Sequence, residues 1–198
     1  MKKRSIGIIG SAFNPPHKGH QDIIEQIYSE FDEILLIPSY RHAFGKQMES
    51  FENRLYMTSL LTQDFHAIKN IAFKPILTSS IEKDIGFNNS TAVYTFDVLE
   101  ELEQRYLCMN IEADLTFIIG PDNATHDIWN KFYRGSEIID RWQLKVANER
   151  MPIRSSIIRQ YLLDHQQPRH LIDTQLKKFV NKAITDHIYQ QQLYGVFK

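Results

Sequence analysis

Residues 6–9 read Ile-Gly-Ile-Ile, an apolar run without polar alternation, and a turn rich in small residues and proline follows directly. A run of that length is a strand buried on both faces rather than one with a wet side. After the turn an amphipathic helix is expected over about residues 18–30, with Ile23, Ile24, Ile27 and Phe31 on one face. Strand, tight turn and helix in that order open a parallel α/β unit. They put the free N–H groups of a helix start at the carboxyl edge of a sheet.

The same alternation continues along the chain. Strands are expected at residues 33–37 (stopped by Pro38), 70–77 (an edge, given Pro75), 115–119 and 143–147. Helices are expected at about residues 51–65 and 92–107, with Asn88, Asn89, Ser90 and Thr91 offering cap residues for the second, and at residues 155–163. A last helix carries Leu176, Phe179, Val180, Ala183 and Ile184 on one stripe, while residues 39–50 and 79–89 read as loops. Strands alternating with helices imply an α/β fold: a Rossmann-like, doubly wound parallel sheet of about five strands with helices on both faces. The 198 residues are expected to form a single domain, with a C-terminal helical portion over about residues 154–198 packed on it.

Charge narrows the partners. The net charge of -1 supplies no broad basic field for nucleic acid or an anionic membrane, so any anion site must be local. The lone Cys108 excludes an internal disulfide and a cysteine-rich zinc site, and it fits a reducing compartment. The apolar run after the basic start is too short for a signal peptide, and no stretch reaches the roughly 18 apolar residues of a membrane span. A soluble, cytoplasmic protein is expected; a homo-oligomer stays open.

The residues that carry chemistry fall at one sheet edge: His17 and His20 after the first strand, the Arg41 to Lys46 loop after the second, Gly120-Pro121-Asp122 after the fourth, and residues 155–159 beyond the fifth. His17-Lys18-Gly19-His20 admits a metal site, a general base or a phosphate clamp. A third metal ligand at suitable spacing is lacking, and Gly19 beside a helix start favours the clamp. Ser155 and Ser156 at a helix start, with Arg159 one turn on, read either as a cap with a solvated arginine or as donors for phosphate oxygens.

Gly10-Ser11-Ala12-Phe13-Asn14-Pro15-Pro16-His17-Lys18-Gly19-His20, together with Ile153-Arg154-Ser155-Ser156-Ile157-Ile158-Arg159, resembles the HxGH nucleotidyltransferase superfamily and its ISSTxIR motif. Within it the chain resembles the bacterial nicotinate-nucleotide adenylyltransferases. Gly120-Pro121-Asp122 followed by Trp129 is similar to that family's G-x-D…W region, Tyr94-Thr95 before Leu99 to its Y-T-x-x-x-L helix, and residues 188–194 to its last helix. The pattern departs at Asn14, where the family usually has Asp, and at Arg154 and Ser156, where Ser and Thr are commoner. The family's Pro-Pro-His-Lys segment after the second strand is replaced by Arg41-His42-Ala43-Phe44-Gly45-Lys46.

The resemblance implies transfer of AMP from ATP to nicotinate mononucleotide, giving deamido-NAD and pyrophosphate. Nicotinamide mononucleotide is the alternative acceptor, and a non-catalytic nucleotide-binding regulatory module the alternative from another class. His17, His20 and Arg159 are the implied catalytic groups. Gly10, Ser11, Phe13, Lys18, Gly19, Gly120, Asp122, Ile153, Ser155 and Ser156 are the implied ATP contacts. Lys46, Arg54, Tyr94, Thr95 and Trp129 are the implied mononucleotide contacts, with Trp129 stacking on the pyridine ring or else anchoring the core. Mg²⁺ is expected on the ATP phosphates, with no metal site built by the protein.

Overall fold

The computed structural model describes residues 2–41, 47–69, 74–87, 92–164 and 169–196. Strands β1 (Lys2–Ser11), β2 (Glu33–Pro38), β3 (Ile76–Thr78), β4 (Ile111–Ile119) and β5 (Gln143–Val146) form one sheet in the order β3-β2-β1-β4-β5. Every pairing is parallel. β2 is buried at every position. The pleat explains why its sequence does not alternate: Ile34 and Leu36 enter one core, Leu35 and Ile37 the other. Ile6 and Ile8 oppose Ile9 across β1 in the same way. Gly7 lies between them because a Cβ there would come within 2.8 Å of the Phe31 ring.

The helices are α1 (Lys18–Ile27), α2 (Phe51–Lys69), α3 (Ile81–Gly86), α4 (Thr95–Cys108), α5 (His126–Trp129), α6 (Gly135–Arg141), α7 (Ser155–Asp164), α8 (Arg169–Phe179) and α9 (Lys182–Gln190). Ile24 and Ile27 of α1, Met57 and Leu61 of α2, Ile158 and Leu162 of α7, Leu176 of α8 and Ile184 and Ile188 of α9 share one core. Phe96, Leu99 and Leu102 of α4 pack with Ile138 and Trp142 on the opposite face. The strand order turns back at β1, with β2 and β3 on one side and β4 and β5 on the other. That switch point opens a crevice beyond the carboxyl ends of β1 and β4.

Several boundaries differ from expectation. β1 and β4 both begin earlier, because pairing from Lys2↔Ile111 through Arg4↔Ala113 extends the ladder through exposed and half-buried residues. The stretch 79–89 holds α3, and the expected strand 70–77 shortens to β3, with residues 70–73 outside those described. α4 starts at an N-cap of Tyr94, whose backbone N–H donates to the Asp97 carboxylate at 3.4 Å, while Asn88 to Thr91 lie outside the described residues. The single C-terminal helix is two, broken where Asn181 adopts an extended ψ of 156°.

Candidate active site

The turn between β1 and α1 places two imidazoles at the crevice. His17 is the N-cap of α1 and its carbonyl accepts the N–H groups of His20 and Gln21. The His17 N–H in turn donates to His20 Nδ1 at 3.1 Å. An Nδ1 that accepts leaves the proton of a neutral ring on Nε2, which lies 3.3 Å from Ser11 Oγ. The two rings sit 3.8 Å apart between centroids. Gly19 permits this packing, because a Cβ there would meet His17 Nδ1 at 2.9 Å. That nitrogen is buried without a partner among the described residues, so Nε2 is the His17 nitrogen left to serve a ligand.

Both imidazoles are neutral in this state. Burial, with the charge of Arg154 added, pushes the His17 pKa down to about 4. Burial and the adjacent His17 hold His20 well below its ordinary value. Their contribution at neutral pH is therefore as N–H donors, and a bound anion would draw their pKa values upward.

The start of α7 closes the other side of the crevice. Ser155 Oγ donates to the Pro15 carbonyl at 2.9 Å across 140 residues of chain. Arg159 Nη1 donates to the Asn14 carbonyl at 2.6 Å. The two halves thus meet in one cleft of about 330 Å³, lined by Ser11, His17, Gly19, His20, Gly120, Asp122, Ile153, Ser155, Ser156 and Arg159 among others. All ten of these were implied by the resemblance. A second, smaller cleft of about 200 Å³ includes Gly10, Ser39, Arg41, Glu82, Thr95, Phe117, Asn123 and Phe132.

Other expected contacts are placed elsewhere. Phe13 is fully buried at a positive φ of 45°, its ring packed 4.7 Å from His20 as a floor beneath the imidazoles. Lys18 turns away from the first cleft, its Nζ donating to the Lys177 carbonyl at the end of α8. Gly10 lines the second cleft rather than the first, since the pleat that directs Ser11 to one directs its neighbour to the other. Arg54 is buried, donating from Nε to the Glu49 carbonyl and from Nη1 to the Ala12 carbonyl, so it braces the turn from behind. Trp129, expected to stack on a pyridine ring or else to anchor the core, is 2 % exposed, as the second alternative has it; its indole N–H donates to the Asn123 carbonyl and its ring stacks on Phe132. Of the expected mononucleotide contacts, Thr95 lines the second cleft. Tyr94 packs against Tyr133 outside it, the two rings tilted and 4.7 Å apart, and Lys46 lies outside the described residues.

The structure adds residues the sequence pattern did not single out. Phe132, three positions after Trp129, is the aromatic side chain at the second cleft, beside Phe117. Glu82 enters the same cleft from α3, within a stretch that reads as loop, and its Oε2 accepts the Tyr40 N–H at 2.8 Å. In the first cleft, Glu149 and Asp22 are carboxylates held by arginines. Asn14, at the departure from the usual Asp, is almost fully buried: its Oδ1 accepts the Tyr194 hydroxyl at 2.9 Å and the Glu49 N–H at 3.2 Å.

Residues 8–161 match the family described as Cytidylyltransferase-like, over more than half of the chain. The chain belongs to that family. A Myxococcus xanthus relative, provisionally named a nicotinate-nucleotide adenylyltransferase, is 29% identical over 180 residues, spanning 84% of this chain and 86% of its own. A solved structure from Vibrio parahaemolyticus, under the same provisional name, matches with a TM-score of 0.73 at 29% identity over 98% of this chain and 96% of that one. The Plasmodium falciparum nicotinic acid mononucleotide adenylyltransferase, solved with NaAD, shares the fold at a TM-score of 0.69 and 18% identity, covering 98% of each chain. Among the described residues, no helix is long and apolar enough to cross a membrane.

Proposed function

We infer that the chain transfers AMP from ATP to nicotinate mononucleotide, yielding deamido-NAD and pyrophosphate in NAD biosynthesis. The relatives' names support the acceptor. The observation that carries the reaction is the joining of the His17–His20 turn to the Ser155–Arg159 helix start by the Ser155 and Arg159 hydrogen bonds. Two anion-binding helix starts facing one cleft suit a triphosphate, with the mononucleotide entering from the neighbouring cleft.

In this reaction an oxygen of the mononucleotide phosphate attacks the α-phosphorus of ATP. The bond from that phosphorus to the α,β-bridging oxygen breaks, and the electron pair leaves with pyrophosphate. The nucleophile is already an anion near neutral pH, so the protein need not take a proton from it. The neutral imidazoles fit that requirement: His20, with Nε2–H directed by the His17 N–H bond to Nδ1, would donate to an oxygen of the transferred group. Ser156, Arg159 and the α7 N–H groups would hold the remaining oxygens in line. Phe132 and Phe117 offer an aromatic wall to a planar base in the second cleft, with Thr95 and Asn123 as polar partners.

Mg²⁺ arriving on the phosphates would neutralise charge developing on the departing pyrophosphate. The nearest carboxylates, Asp22, Asp122 and Glu149, line the cleft, and each is ion-paired with an arginine. That donor set suits an ion carried in by the nucleotide better than one caged by protein.

Pyrophosphate release from ATP and Mg²⁺, measured with nicotinate and nicotinamide mononucleotides in turn, tests this reading. Release is expected with the acid form, and absence of release with either acceptor rejects the function. His20→Ala should lower kcat by at least about a hundredfold at an unchanged fold, the scale of a lost transition-state donor. Retained turnover would remove His20 from the chemistry.

A further inference from the structure

Arg154 stands where the family's pattern has a small hydroxyl residue, and its surroundings give it a task. It caps α7, its carbonyl accepting the N–H groups of Ile157 at 3.0 Å and Ile158 at 3.3 Å. Its guanidinium, about half exposed, lines the first cleft beside His17. Nη1 pairs with the Glu149 carboxylate, and Nη2 lies 3.7 Å from Asp122 Oδ2.

The other cationic groups near the turn are committed differently. Arg159 is anchored by Nη1 on a backbone carbonyl and meets the phosphates with its remaining N–H groups, Lys18 points out of the cleft, and both imidazoles are neutral. Arg150 is tied to Asp22, whose side chain is only 12% exposed, through Nη2 at 2.7 Å and Nε at 2.9 and 3.2 Å. The carboxylates on Arg154 are more open: Glu149 is 32% and Asp122 85% exposed. Exposed ion pairs of that kind contribute little, whereas a guanidinium on phosphate oxygens makes paired charge-assisted bonds.

We propose that Arg154 is a positioning cation that Glu149 and Asp122 hold beside the cleft and release to the triphosphate when ATP binds. This rests on the adenylyl-transfer reading of the cleft. Glu149 is then a built-in competitor of ATP.

The competition sets opposite signs for two partners of one ion pair. Binding of α,β-methylene-ATP with Mg²⁺, measured calorimetrically, should weaken roughly tenfold or more in Arg154→Ala, as expected for a lost charge-assisted contact. Arg154→Lys, which keeps the charge without the fork, should fall between it and the wild type. Glu149→Gln should bind the analogue more tightly than the wild type, and most of that gain should vanish in the Arg154→Ala background. A merely structural ion pair would weaken binding in both single variants. Weaker or unchanged binding in Glu149→Gln overturns the exchange, as does a gain of equal size with and without Arg154. Wild-type pyrophosphate release with nicotinate mononucleotide, run alongside, separates failure of this exchange from failure of the adenylyl-transfer reading.

Discussion

Glu82 shows how one side chain can couple the second cleft to pH. Burial raises its pKa from 4.5 to about 7, opposed by the Tyr40 N–H and the charge of Arg54. Between those values the folded chain holds a proton that the unfolded chain has lost. The contribution is therefore full below about pH 4.5, declines as pH rises to about 7, and is gone above it. Each tenfold difference in proton affinity between the two states is worth about 1.4 kcal/mol, so the scale is at most about 3 kcal/mol. His17 acts in the opposite sense: its folded pKa of about 4 makes stability rise with pH between there and 6.5. The two slopes oppose one another, so the difference between variants isolates Glu82. Denaturant unfolding at pH 5 and pH 8 should show the wild type losing stability relative to Glu82→Gln across that interval, since Gln still accepts the Tyr40 N–H. Equal pH profiles for the two proteins would mean that Glu82 is ionised throughout.

The C-terminal helices show what an element-level pattern reveals and what it hides. Leu176, Val180, Ile184 and Ile188 all reach the same core, as the stripe from Leu176 to Ile184 promised. The stripe nevertheless runs through a break, because apolar spacing records which face is buried and not whether the backbone is continuous. The signal for the break is Asn181, a residue type that favours caps. It caps α9 with its carbonyl, which accepts the Thr185 N–H at 3.0 Å, while its side-chain amide donates to Asp64 on α2 at 2.7 Å. One residue thus both ends α8 and fixes α9 to α2. Asn181→Ala should cost about 1–2 kcal/mol, the scale of a lost part-buried hydrogen bond to a charged partner, read as a fall in Tm of a few degrees. Full stability in Asn181→Ala would show that the break is held by core packing alone. α3 carried no comparable mark, since a six-residue helix gives too short a period to read.

Across the whole molecule, the β1–α1 turn is held by ties that come from far along the chain. Ser155 reaches the Pro15 carbonyl, Arg159 the Asn14 carbonyl, Arg54 the Ala12 carbonyl, and Tyr194 the Asn14 side chain, the last across 180 residues. In the first cleft the imidazoles, hydroxyls and Arg159 were legible because such groups at helix starts mark themselves, while Asp22 and Glu149 of the same lining were not. Most of the ties were not, because a backbone carbonyl that accepts a bond leaves no trace in the sequence. Arg54 and Trp129 show the cost: the resemblance implies a ligand contact for each, and only the fold reveals that its polar atoms already serve the protein's own carbonyls. Tyr194 is the most exacting tie. It lies at a left-handed φ of 57°, strained for a bulky residue, yet its N–H meets Glu49 Oε1 at 3.0 Å and its hydroxyl meets Asn14 Oδ1 at 2.9 Å. Burial raises the pKa of that hydroxyl far above its ordinary value, so it stays a donor across the working range. Tyr194→Phe removes one buried bond and leaves Asn14 Oδ1 with the Glu49 N–H alone, a loss of about 1 kcal/mol in stability. If the bond also sets the turn that carries His17 and His20, kcat for pyrophosphate release should drop several-fold at saturating ATP, because small displacements of positioned groups are costly in an in-line transfer. An unchanged kcat with the stability loss alone would confine Tyr194 to the scaffold.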